Sequence, residues 1–412
     1  MTEHPLLPAD AGASDRLRSG TTAMVAGTLV AAIAAYLFQL IVGNALGPAD
    51  FAPISVLWTI QFLVFTTVFM PMEQLTIRRL SAVEPKAAPW AIFGGLIATA
   101  TAATVLFGHL TLDRLLAGDP WYLVILAFLI LGYGGFALGR GFLAGRLRYR
   151  DYGVTTLAES VLRLVLAAAL LAAGVGALGV SVTLVAGSLV IWLWSPLRGE
   201  RRRDRGAERE PGSVGTLATF ITANASAQTI VASGPLIVGG LGAPDREVSI
   251  FFETFLLFRA PLTVSYSLIA RVLPPFTAMM ERGEHGALRR RAVWIAAAGA
   301  GGTALAYAFG LTFGAGMVEL LLPKFRPEAE LAAIAAAGMT LATVALFEQQ
   351  VLIAMRATRR LAGSWLIALL AAVLVIAFDG SEPSIRVARA FLAGEATALI
   401  ALTAAILTRR MP

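Results

Sequence analysis

The sequence predicts an all-α polytopic membrane protein of about 12 transmembrane helices in two six-helix lobes, with both termini cytoplasmic. Three observations predict it. Apolar runs near 20 residues, the length that crosses the hydrocarbon core as a helix, recur along the 412 residues. Composition is 57% hydrophobic and 14% charged, with a mean hydropathy of +0.75, where a soluble domain carries roughly 25% charged residues. The basic residues fall between the runs on alternate sides. Runs of this length exclude barrel strands, and isolated spanning segments must satisfy their backbone groups internally, so the form is helical.

The chain opens with a cytoplasmic tail, residues 1–22, which has no apolar run before its arginines and is not a cleaved signal peptide. The first lobe, 23–197, holds spans at 23–43, 53–74, 89–109, 121–140, 153–174 and 180–197. A basic cytoplasmic linker, 198–214, carries six arginines between 198 and 209 and lacks apolar anchors, the mark of a mobile connection. The second lobe, 215–408, holds spans at 215–238, 248–270, 292–314, 331–354, 361–378 and 388–408. Residues 409–412 form a second cytoplasmic tail.

Orientation follows from the arginines. With the N-terminus inside, the segments on the cytoplasmic side hold 25 lysines and arginines and the opposite side holds 6, a strong positive-inside bias. The net charge of +7 has this origin, and the basic loops face anionic lipid headgroups, so membrane lipids are partners and nucleic acid is not. Twelve spans split six and six is a transporter plan. A faint repeat supports the split: Leu46, Gly47 and Asp50 after the first span match Leu241, Gly242 and Asp245 after the seventh. An even number of spans per half makes the repeats parallel.

Charged residues inside spans are costly and turn toward a cavity or one another. Glu159 and Arg163 stand four residues apart on one face of span five, either as an ion pair seating the helix or as an arginine facing a cavity with its carboxylate holding it. Arg259 lies midway through span eight, followed by Pro261, which removes a donor and bends the helix. A planar guanidinium there is a fork for phosphate oxygens, against the alternative of helix–helix pairing. Glu73, after Pro71 near the cytoplasmic end of span two, meets Arg78 or Arg79 or faces a cavity entrance. Glu348 interrupts span ten and is the first candidate for proton or sodium coupling, against a buried hydrogen bond; Glu395 and Glu253 follow.

Soluble-enzyme chemistry is not expected. There is no cysteine, no GxxxxGK phosphate loop, and His4, His109 and His285 make neither a metal cluster nor a relay. The chain is read as a non-enzyme with no cofactor and no metal.

Four segments resemble the polysaccharide flippase (Wzx-like) branch of the MOP transporter superfamily: LFQLIVGNALGPADFAPIS, LGRGFLAGRLRYRDYGVTTLAESVLRL, RAPLTVSYSLIARVLPPFTAMMERGE and LLLPKFRPEAELAAIAAAG. The resemblance implies a MATE-like V of two lobes around a central cavity, and movement of an undecaprenyl-pyrophosphate-linked oligosaccharide across the bacterial cytoplasmic membrane for surface polysaccharide synthesis. It implies Arg163 and Arg259 as cavity residues, with Arg79 and Arg140 at the entrance. Other polysaccharide-assembly membrane proteins would then be partners. Span seven departs from the pattern: it contains Pro235 and lacks the charge often found there, and the two extra spans of the lipid II flippase group are missing. A multidrug exporter of the same superfamily, or a non-transporting component of an envelope-synthesis complex, are the other readings. Cavity sign separates the first of these, because a cationic drug calls for acidic walls. Burial of Arg163 and Arg259 each against its own carboxylate would favour the second.

Overall fold

The structure, a computed structural model, describes residues 11–80, 90–193, 225, 227–355 and 357–409. Those residues are helical, without strands. Nine helices among them are long and apolar enough to cross a membrane, and Ala177–Trp192 is a shorter apolar one. Segments at the seventh and eighth positions complete the pattern of twelve. The linker 198–214 and the start of the seventh span lie outside the described residues.

The first span is Ala11–Leu46, so the helix already begins within the stretch read as tail. It ends at Gly47, whose φ of 81° suits glycine, and Pro48 opens the second span. The equivalent turn after the seventh span uses Gly242 at φ 90° before Asp245. The two turns matched in the sequence therefore share a backbone device.

The second span is longer than expected. It runs as Pro48–Val64, a π turn at Phe65–Phe69, and Met70–Leu80. Pro71 offers no N–H and its ring crowds the carbonyl four residues back. The wide turn lies over that position, so the helix continues past the proline instead of stopping. The third to sixth spans are Trp90–Leu110, Trp121–Gly145, Tyr149–Ala172 and Ala177–Trp192. Gly234–Gly240 is the described end of the seventh. The eighth is two helices, Asp245–Phe258 and Ala260–Glu281, broken at Arg259. The ninth continues to Leu321 through a π turn at Gly310–Gly314, beyond its expected end at 314. Ala329–Ala354, Thr358–Phe378 and Pro383–Leu407 are the last three.

Packing repeats at an offset of six spans. Spans two and four, three and four, four and six, and five and six pack together; so do eight and ten, nine and ten, ten and twelve, and eleven and twelve. Four and ten are the most enclosed members of their halves, while three and nine are mostly surface. The exposed surface carries Leu305, Leu320, Phe378 and Ile400. In water such residues would mark an interaction patch; against lipid tails they are solvated. Spans one and five touch backbone to backbone, where a Cβ on Gly27 would lie 2.7 Å from the Gly153 carbonyl oxygen. Small residues permit that approach, which is how spans associate without a hydrophobic drive between them.

The halves meet along one seam. Pro48–Val64 packs on Asp245–Phe258, and Phe51 contacts the rings of Phe252 and Phe325, each at 6.2 Å. Asn44 Nδ2 donates to the Leu321 carbonyl at 2.9 Å, and the Tyr36 hydroxyl to that of Leu256 at 3.1 Å. The arginine distribution assigns this end to the outer side. Toward the other end, Met70–Leu80 packs on span four and Ala260–Glu281 on span ten, each within its own half. The contacts between the halves thus gather toward the outer end.

Candidate substrate cavity

Arg259 occupies the break in span eight. Its N–H still donates to Phe255 and Leu256 carbonyls, at 3.0 and 3.1 Å, which closes the first helix. Pro261 sits in the first turn of the next, where a missing N–H costs nothing. The break turns the guanidinium over the ring of Phe62, 4.0 Å from its centroid. Arginine over an aromatic face is attracted by the ring quadrupole, which fixes the charge in place.

Around this point lies an open cavity. Trp58, Thr59 and Phe62 of span two form one wall, and spans seven, eight, eleven and twelve, with Met339 of span ten, the others. Arg259 is its charged residue among those described; Thr59, Thr229 and Ser233 add hydroxyls and the rest is apolar. The lining suits an organic ligand with one anionic group.

Arg163 is placed differently. It is 3% exposed, and NH1 pairs with Glu159 Oε1 at 2.9 Å. The same nitrogen donates to the Tyr133 hydroxyl at 3.0 Å, while Tyr133 donates to Glu159 and Ser160 Oγ donates to Glu159 Oε2 at 2.7 Å. Trp58 and Phe38, stacked on each other, hold its guanidinium at 4.4 and 5.4 Å. The pair is therefore enclosed in the core of the first half. It still touches the cavity indirectly: Trp58 contacts Arg163, and Phe62, one turn on, contacts Arg259.

Arg140 and Glu73 form a second enclosed pair at 3.1 Å, so Glu73 meets span four; the side chains of Arg78 and Arg79, the partners the sequence offered, lie outside the described residues. Tyr152 binds both, donating to Glu73 at 3.0 Å and accepting from Arg140. Phe65, Phe136 and Tyr152 surround the guanidinium.

Glu348 and Glu395 are fully buried, and both oxygens of each lack a hydrogen-bond partner. The hydrogen bond offered for Glu348 as the alternative to coupling is therefore not made among the described residues. Glu253 is 3% exposed and its Oε1 is also without a partner. Among the described residues, Arg259 is the one predicted site residue on the cavity wall. The aromatic platform of Trp58 and Phe62 escaped the sequence reading, although their spacing of four residues on span two is visible there. Tyr133 and Tyr152, each of which bridges the members of one buried pair, carried no signal in the sequence.

No protein-family model matches the chain. Over 244 residues it is 28% identical to an uncharacterized protein of Mycobacterium bovis and, equally, to one of Mycobacterium tuberculosis. It spans about half the length of these curated relatives, 54%. Among solved structures, an inward-facing multidrug resistance MATE family transporter of the MOP superfamily aligns with a TM-score of 0.63 at 12% identity, covering 94% of this chain and 97% of that one. An outward-facing structure of such a transporter gives 0.56 at 13% identity, over 95% and 97%. The eukaryotic MATE transporter AtDTX14 gives 0.54 at 15%, over 96% of each chain. The chain has the MATE transporter fold, nearly end to end.

Proposed function

We propose that the protein is an exporter of the bacterial cytoplasmic membrane that moves an anionic amphipathic molecule by alternating access. The substrate in this reading is an undecaprenyl-pyrophosphate-linked oligosaccharide, flipped to the outer leaflet for surface polysaccharide synthesis. The observation that carries it is Arg259: a positive charge held at a helix break on the wall of an otherwise apolar cavity. A pyrophosphate presents the oxygens a guanidinium binds in bidentate fashion, and the lipid tail stays in the bilayer. The enclosed pairs, Arg163 with Glu159 and Arg140 with Glu73, brace the first half beside the cavity. Membrane lipids and other polysaccharide-assembly proteins are its partners on this account.

Export of drugs is the second reading. The aligned structures are multidrug transporters by description, and the cavity is largely apolar, as drug sites are. Sign separates the two. In detergent, a short-chain polyprenyl pyrophosphate at saturating concentration is expected to raise the melting temperature by roughly a few degrees, as ligand linkage requires. A cationic amphipath of equal chain length is expected to leave it unchanged. Stabilisation by the cation alone would transfer the protein to the drug-exporting reading.

Ion coupling is assigned to Glu348. With both oxygens unpartnered in the core, it is neutral or holds a cation. Glu348→Gln is expected to insert normally, keep the stabilisation by pyrophosphate lipid, and lose the acceleration of transport by an imposed proton or sodium gradient. Undiminished acceleration in this variant would remove Glu348 from the coupling pathway.

A further inference from the structure

Thr59 of span two departs from the other buried threonines. Thr66, Thr67, Thr76, Thr155 and Thr254 each donate the hydroxyl to the carbonyl four residues earlier, the usual way a hydroxyl is satisfied inside a helix. Thr59 is 3% exposed, and its Oγ1 has no partner among the described residues. It lines the cavity three residues before Phe62, and so shares a helix face with the ring that carries Arg259. A buried hydroxyl left unpaired forfeits its hydration, and a water would find few second partners in walls this apolar.

The oxygens of the cavity gather on the outer side of Arg259. Thr59 and Thr229 each stand eleven residues from the outer end of their span, at Pro48 and Gly240. Arg259 stands fourteen from Asp245, about one turn deeper. Ser233, one turn along from Thr229, donates to the Thr229 carbonyl and keeps an oxygen that can accept. Pro235, on the same wall, cannot give the Val231 carbonyl the N–H that an unbroken helix would supply. Phe255 of span eight, ten residues from Asp245, brings an aromatic ring to this level, with Phe391 edge-on to it at 5.3 Å. The cavity thus holds an anion seat and, one turn outward, a group of hydroxyl and carbonyl oxygens beside aromatic carbon. A sugar ring has the matching make-up, with hydroxyls around its rim and C–H groups on its faces.

We propose that Thr59 reads the sugar bonded directly to the substrate's phosphate: its Oγ1 exchanges a hydrogen bond with a ring hydroxyl while Arg259 holds the phosphate. This role rests on Arg259 as the seat of a lipid pyrophosphate, and it adds what the group beyond the phosphate must be. A ring joined to the phosphate reaches about one helical turn from it, the separation of the two levels. A lipid pyrophosphate without a sugar leaves the Thr59 hydroxyl unpaired in the complex, and a glycosylated one satisfies it. A site built to hydrogen-bond a hydroxyl rejects the analogue that lacks it for this reason. Thr59 thereby selects the glycosylated lipid over the bare carrier.

Two esters of one short-chain polyprenyl pyrophosphate, glucosyl and cyclohexyl, are alike in charge and ring size and differ in hydroxyls. Their dissociation constants on the purified protein in detergent give the test. Thr59→Val puts a methyl in place of the hydroxyl and breaks no hydrogen bond among the described residues, so its melting temperature is expected to hold. The ratio of glucosyl to cyclohexyl affinity is expected to fall about fivefold in this variant, the worth of one neutral hydrogen bond. Thr59→Ala is expected to give the same fall, so the result does not hang on one variant, and Thr59→Ser to keep the parent ratio. Arg259→Lys is expected to weaken both esters alike. An unchanged ratio in Thr59→Val, or equal weakening of both esters there, would overturn the role of Thr59 and leave the phosphate seat standing. Binding of neither ester by the parent protein would remove both.

Discussion

Arg259→Glu is expected to abolish export while leaving the bundle folded. The side chain stands at a break that Pro261 makes, so the backbone does not depend on its charge. Reversal replaces an attraction for pyrophosphate with a repulsion inside an apolar cavity, where loss of a buried charge partner costs about 2–5 kcal/mol. At 1.4 kcal/mol per tenfold, transport falls by roughly 30-fold or more, to background. Arg259→Lys keeps the charge but loses the planar fork and the stacking on Phe62, and retains partial activity. Rates of lipid-linked substrate movement in reconstituted vesicles, with insertion checked by solubility and melting, give the comparison. Full activity in the Glu variant would remove Arg259 from the substrate path.

Arg163 is expected to behave in the opposite manner. Arg163→Met removes the partner of Glu159 and leaves a buried carboxylate facing Tyr133 and Ser160. Breaking a buried pair on one side typically costs about 3–5 kcal/mol. The variant should therefore melt markedly earlier and yield less folded protein. Replacing both members, Arg163→Met with Glu159→Met, removes the stranded charge and should restore most of the loss. Melting in detergent reads this directly. A stable Arg163→Met protein that has lost transport would instead make Arg163 a cavity residue.

The contrast between these two arginines marks what the sequence disclosed. Both stood out as charges within apolar spans, and the partnership of Arg163 with Glu159 was readable at four residues along one helix. The rest of its surroundings was not: Tyr133 comes from span four, and Phe38 and Trp58 from spans one and two. Glu73 and Arg140 are 67 residues apart, so nothing local announces their pairing. Span positions were legible because the bilayer demands about 20 apolar residues. Ends were less so where a π turn absorbed the strain, as before Pro71 and at Gly310–Gly314. The break at Arg259 was legible because Pro261 acts on its own helix; the cavity was not, because six spans make it.

The most direct test of the central claim is leaflet exchange itself. Purified protein in vesicles, given a fluorescent short-chain polyprenyl-pyrophosphate sugar, is expected to carry it from one leaflet to the other well above protein-free vesicles, with Arg259→Glu at the protein-free rate. A cationic amphipathic dye in the same vesicles should move no faster than without protein. Transport of the dye with no movement of the pyrophosphate lipid would contradict the account.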